Sequence, residues 1–135
     1  KTGAGWYAYD EAGRNPQPDP LVESHIIEAS KDLGMERRVI GDSEILARCL
    51  YPLINVGAVL LEEGIAARAG DIDIIWINGF AFPAHRGGPM FHADQVGLGA
   101  IYETICEFHE IHGDAWKPAP LLRELAEAGK GFSDL

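Results

Sequence analysis

His109 and His112 lie one helical turn apart near the end of an apolar-periodic run, a spacing that can bring two imidazoles to one metal ion. No HExxH pattern and no Cys/His cluster accompanies them, so they read as a hydrated pair on the polar edge of a helix. His85 and Arg86 precede Gly87 and Gly88, where permissive backbone and two basic side chains could meet an anion. Nothing else in the stretch supports that role, and it reads as a packed structural loop. Gly3 and Gly5 could cradle a phosphate, but such a turn works between a strand and a helix, and neither flanks it. Arg37 and Arg38 read as solvated or paired with surplus carboxylates. Cys49 and Cys106 each fall inside a helical pattern and read as buried, reduced thiols. No residue is assigned as catalytic, cofactor-binding or metal-ligating.

Composition narrows the class. The chain has 135 residues, 47% of them apolar, enough for one domain with a real core. A net charge of −10 argues against a nucleic-acid binder. No apolar run is expected to reach membrane-spanning length, and no signal peptide opens the chain. The start at Lys1, without an initiator Met, reads as an excised fragment.

The longest periodic segment, residues 42–64, must position everything else. Its apolar residues recur at Leu46, Cys49/Leu50, Leu53, Val56 and Val59/Leu60, which predicts a helix with that stripe buried. Asp42 is the expected N-cap, Gly64 the residue beyond the C-cap, and Pro52 a kink. Before it, residues 1–20 read as an arm, with Trp6, Tyr7 and Tyr9 as anchors and Pro16, Pro18 and Pro20 opposing regular hydrogen bonding. Asp19 and Pro20 open a first helix whose face is Leu21/Val22, Ile26/Ile27, Ala29 and Leu33.

After the central helix, residues 71–79 carry β-branched residues yet have Asp71 as a potential cap and Gly79 as a stop. With no partner strand in sight, a short helix is predicted. Pro89 opens a further short helix ending near Gly97. Residues 98–112 form a strong helix with Leu98, Ile101/Tyr102, Ile105, Phe108 and Ile111 on one side. Leu121, Leu122 and Leu125 face inward on a last helix, and the tail is loose unless Phe132 docks. The expected fold class is all-α, a compact bundle of five or six helices with an extended aromatic N-terminal arm. Gly3-Ala4-Gly5-Trp6-Tyr7 is echoed by Gly129-Lys130-Gly131-Phe132, as if the chain were the second of two tandem units.

The stretches GAGWYAYD, NPQPDPLVE, EILARCLYPLINVGAVLLEEGIA, DIDIIWINGFAFPAHRGGPMFHADQVGL and PAPLLRELAEAGKGF, in that order, cover nearly the whole chain. Together they resemble the C-terminal helical region of the 3-hydroxyacyl-CoA dehydrogenases, as found in multifunctional enzymes of fatty-acid β-oxidation. The resemblance implies a fold like the C-terminal part of 6-phosphogluconate dehydrogenase. It also implies a parent that oxidises an L-3-hydroxyacyl-CoA with NAD bound to a separate Rossmann domain. Residues 1–20 would then end the preceding helical repeat and residues 21–135 would be the second copy.

The chemistry-bearing parts of that family are not found in this sequence. No GxGxxG follows a strand, and none of the five histidines sits in the family's setting for the catalytic base. Active repeats resemble V-N-R-L-L-x-P in the central helix, where the Asn contacts substrate. Here the run is Leu46-Ala47-Arg48-Cys49-Leu50-Tyr51-Pro52, with Ala47 in the Asn position. The expectation is a non-catalytic structural domain, inactive in isolation and with no cofactor of its own. It would brace the preceding repeat and the Rossmann domain through the central helix and the 98–111 helix, and could form a homodimer when isolated. The rivals are a stand-alone acyl-CoA-binding module with a basic mouth near His85 and Arg86, and a metal-assisted enzyme built on His109 and His112. Ser133-Asp134-Leu135 differs from a peroxisomal Ser-Lys-Leu ending, so bacterial cytoplasm is favoured, with the peroxisome as the alternative.

Overall fold

The structure is a computed structural model and describes residues 5–10 and 15–135. The chain divides into two compact units between Ile40 and Gly41.

In the first unit, strands β1 (Ala8–Tyr9) and β2 (Pro16–Gln17) pair antiparallel, Ala8 opposite Gln17 and Tyr9 opposite Pro16. The side-chain amide of Asn15 donates to Asp10 Oδ2 at 2.6 Å. This small ladder corrects the expectation that the prolines preclude regular pairing. At the edge of a two-stranded ribbon Pro16 has no ladder donor to supply. Helix α1 (Pro20–Asp32) starts as predicted, with Asp19 Oδ1 accepting from the Leu21 amide at 2.9 Å. No α1 residue is buried, and Leu21 is 64% exposed, so its apolar face is not the core face the periodicity suggested. Trp6, Tyr7 and Tyr9, expected as anchors, are also exposed.

The second unit is a helical bundle around α2 (Asp42–Glu62). Gly41, not Asp42, is its N-cap, and Asp42 lies in the first turn, where its charge still suits the helix dipole. The far end closes as predicted. Gly64 adopts φ +69°, and the amides of Gly64 and Ile65 donate to the carbonyls of Leu61 and Leu60. By length and composition α2, with 21 residues, could cross a membrane, contrary to the expectation that no run reaches that size. In the bundle it buries Ala47, Ile54, Gly57 and Ala58.

The conflicted segment 71–79 is helical, as α3 (Ala69–Gly79), but Arg68 is its N-cap and Asp71 lies inside the first turn. Arg68 Nη2 donates to Asp71 Oδ1 at 2.7 Å, which holds the Asp71 carboxyl below the usual carboxylate range. Then follow α4 (Pro89–Val96), α5 (Leu98–His112) and α6 (Pro120–Ala128), all close to the predicted bounds. The core joins Ile54 and Ala58 of α2, Ile72 of α3, Met90 and Ala93 of α4, Leu98, Ile101 and Ile105 of α5, and Leu122 and Leu125 of α6. Phe132 is 3% exposed, so the tail docks. The described residues therefore form an all-α bundle with one minute ribbon, in agreement with the expected class.

Candidate functional site

The bundle is tied together by polar side chains that reach far along the chain. Asp73, buried on α3, accepts from the Met90 amide at 2.7 Å and the Phe91 amide at 3.1 Å, and so caps the first turn of α4 from another helix. Burial pushes its carboxyl above the ordinary range, Asp94 adds to that push, and the two amides oppose it. Gly88 lies against this carboxylate. A Cβ there would stand 2.3 Å from Asp73 Oδ1, and the backbone is already at φ +98°.

Asp94 on α4 repeats the device, accepting from the Phe132 amide at 2.7 Å and the Ser133 amide at 3.0 Å. Asn55 on α2 donates to the Lys117 carbonyl at 2.9 Å and accepts from the Ala119 amide at 2.8 Å, fixing the connector between α5 and α6. These residues were missed in the sequence because their partners lie tens of residues away. Gly88 and Gly131, which pack against Asp73 and Asp94 in the fold, stand 15 and 37 residues from them in the sequence.

The residues singled out for chemistry are not brought together. His109 Nδ1 lies 2.9 Å from the Gly113 carbonyl, so it closes its own helix. His112 Nε2 lies 2.7 Å from Arg48 Nη2, and because a guanidinium only donates, this imidazole nitrogen accepts. Arg48 is held further by Glu44 at 2.9 Å and sits 4.8 Å from the centre of the Phe108 ring. Among the described residues no group of three or more His, Cys, Asp or Glu could hold a metal ion. His85 and Arg86 form an exposed 3-10 turn, Ala84–Arg86, followed by Gly87 at φ +76°. Arg37 donates to Ser30 Oγ at 3.4 Å and is exposed. Both cysteines are free. Cys49 is exposed, which corrects the buried reading, and Cys106 is half-buried. Of the glycine turn, Gly3 lies outside the described residues.

A cleft of about 470 Å³ lies between the end of α2, the start of α3 and the tail, lined by Leu61, Arg68, Leu121, Phe132 and Leu135 among others. Its arginine is the one committed to Asp71. A parallel sheet and glycine turn are what a dinucleotide requires. The strands of the described residues are the two-residue antiparallel pair, which is not the parallel sheet of a Rossmann site.

What remains most unusual is the second face of α2. Ile45, Leu46 and Val56 are 47%, 59% and 55% exposed, and Cys49 is exposed with them. With half-buried Leu53 they recur at three- and four-residue spacing, opposite the stripe of Ala47, Ile54 and Ala58. Of the expected buried stripe, Leu46, Cys49 and Val56 are exposed, Leu50 and Leu53 are half-buried, and Val59 and Leu60 pack half-buried against the core, while small residues on the other side let neighbouring helices come close. Gly57 leaves room for Met90, whose Sδ would lie 2.4 Å from an added Cβ. Ala47 is on the inward side and brings no polar side-chain atom. The α5 face is different. Leu98, Ile101, Ile105 and Phe108 are used within this core and only Ile111, 70% exposed, points away.

Residues 45–131 match the family model described as 3-hydroxyacyl-CoA dehydrogenase, C-terminal domain. Similar proteins include the peroxisomal bifunctional enzymes of Danio rerio, 42% identical over 132 residues, and of Homo sapiens, 41% identical over 132 residues. A peroxisomal fatty acid beta-oxidation multifunctional protein of Arabidopsis thaliana is 39% identical over 137 residues. The matches take in 96%, 96% and 98% of this chain but only 18%, 18% and 19% of those proteins.

Proposed function

Because the chain belongs to the family of 3-hydroxyacyl-CoA dehydrogenase C-terminal domains, we propose that it is a structural, non-catalytic domain of a larger NAD-dependent L-3-hydroxyacyl-CoA dehydrogenase of fatty-acid β-oxidation. In this reading the exposed stripe of α2 docks on the preceding helical repeat, and the Rossmann domain that binds NAD lies elsewhere in the parent. The observation that carries it is that stripe, since Ile45, Leu46 and Val56 are large apolar residues with no cover in this chain. Covering each would contribute on the order of 1 kcal/mol. The chemistry of the chain is consistent with a supporting role, because His109 and the carboxylates of Asp73 and Asp94 are engaged in holding backbone.

No residue of this chain is assigned to catalysis, cofactor or metal. For compartment, the relatives are named for the peroxisome, which favours a peroxisomal parent over the bacterial cytoplasm expected from the sequence.

Two measurements test the reading. The 135-residue chain, mixed with NAD and an L-3-hydroxyacyl-CoA, is expected to produce no NADH, and turnover by it would overturn the non-catalytic assignment. In the full-length protein, Leu46→Glu with Val56→Lys is expected to lower hydroxyacyl-CoA oxidation by loosening the docked repeat. Unchanged activity and unchanged protease resistance of that variant would show that the stripe is not the contact. If the isolated face finds a second copy of itself, sedimentation will show a concentration-dependent dimer that the same substitutions abolish.

A further inference from the structure

The tail of the chain shows how a short glycine-aromatic segment is seated on a helical unit of this architecture. Gly131 is followed by the buried Phe132, and the amides of Phe132 and Ser133 donate to the two oxygens of Asp94. No side chain fits at Gly131, since a Cβ would stand 2.8 Å from the Asp94 carboxylate. The glycine is therefore required by the carboxylate that faces it.

The same motif stands near the other end of the chain. In Gly3-Ala4-Gly5-Trp6-Tyr7, Gly5, Trp6 and Tyr7 take the places of Gly131, Phe132 and Ser133. Among the described residues no such seat is formed there. Trp6 is 76% exposed, and a Cβ on Gly5 would meet nothing within 4 Å. Among the described residues, no group accepts the Trp6 or Tyr7 amide. Trp6 instead borders an open, almost wholly apolar groove of about 430 Å³ with Val22, His25, Ile26 and Ala29 of α1, a helix with no buried residue.

We propose that Gly5-Trp6-Tyr7 is a latch that seats on the preceding helical repeat, where a carboxylate in the place of Asp94 accepts the Trp6 and Tyr7 amides and the indole fills the counterpart of the Phe132 site. This deepens the proposed function and rests on its preceding repeat. The empty space at Gly5 is the space that the carboxylate occupies, as Asp94 does at Gly131. The α1 groove extends the contact, because the same repeat covers the apolar side of α1 beside the indole.

The test is amide hydrogen exchange on the full-length protein. Two hydrogen bonds to one carboxylate predict that the Trp6 and Tyr7 amides exchange at least about 100-fold more slowly than in a free peptide. Gly5→Val should remove that protection while leaving the Phe132 and Ser133 amides protected, and Gly131→Val should do the reverse. Trp6→Ala should loosen the latch without affecting the Asp94 site. Exchange of Trp6 and Tyr7 at free-peptide rates overturns the latch, and so does protection that Gly5→Val leaves intact. Protection that appears only as protein concentration rises identifies a second copy as the occupant and also overturns it. Hydroxyacyl-CoA oxidation by the same preparation separates the two readings. Activity with unprotected amides refutes the latch alone, whereas protected amides in a parent without that activity keep the latch and refute the proposed function.

Discussion

Replacing Asp73 by Asn tests whether one buried carboxylate sets the start of α4. Asn keeps the volume, and its carbonyl oxygen can still accept one of the two amides, Met90 at 2.7 Å or Phe91 at 3.1 Å. Its NH2 then faces the other amide, donor against donor. A buried donor left without a partner costs about 1–3 kcal/mol. Relief from burying a charge works the other way, since burial is what pushes this carboxyl up. The net expectation is a loss of about 2 kcal/mol. For a chain of this size that lowers the melting temperature by about 6–10 °C. Urea denaturation followed by far-ultraviolet circular dichroism measures the first quantity, and a thermal scan the second. Exchange of the Met90 and Phe91 amides should accelerate before the rest of the bundle is affected. A D73N protein within about 0.5 kcal/mol of the parent, in the range of ordinary surface substitutions, would refute the capping role.

Other outcomes follow from the same contacts. The burial-raised carboxyl of Asp73 means that the folded chain takes up its proton at higher pH than the unfolded chain does. Stability from this group is therefore gained as pH falls from the raised folded value toward the ordinary 3.8 and lost as pH rises back through that window, so pH-dependent urea midpoints of parent and D73N should diverge on the acid side. Phe132→Ala should destabilise the bundle by about 3 kcal/mol, since the ring is almost fully buried; a change under about 1 kcal/mol would show the tail to be marginal. Ala81 holds φ +56°, and the Phe82 amide bonds back to the Trp76 carbonyl around it at 3.0 Å, a helix ending that glycine suits better. Ala81→Gly should then stabilise the protein by up to about 1 kcal/mol, and a loss in the same denaturation assay would contradict this.

Local chemistry made much of the fold legible. Asp19-Pro20, Gly64, Pro89, Gly97, Gly113 and Gly129 mark helix ends because capping is decided within a few residues. Segment 71–79 was readable as helix despite Ile72, Ile74, Ile75 and Ile77, since a strand there would have had no neighbour. The buried side of α2 was not readable. Both of its sides are apolar, and size favoured Leu46, Leu53 and Val56. The fold instead uses Ala47, Gly57 and Ala58 because a close helix contact needs little side chain. Asp42 and Asp71 were misplaced as caps, although each lies in a first turn where negative charge is favoured in any case. For the site, the roles of Asp73, Asp94 and Asn55 were not legible in the sequence. Hydrogen bonds spanning 17, 38 and 62 residues leave no periodic trace.

Asn55 imposes a further constraint on the chain. Its amide offers a donor to Lys117 and an acceptor to Ala119, the same pair of groups that one peptide of an adjoining β-strand would present. A helix thus lends a single rung of sheet to an extended segment flanking Pro118, whose ring has no N–H to offer. The position is selective in a way that size alone is not. Aspartate would match the shape and lose the donor, and leucine would lose both. Glutamine would carry the right groups on a stem one methylene too long. Any redesign of this bundle has therefore to treat Asn55 as part of the main-chain hydrogen bonding, though it is drawn as a side chain.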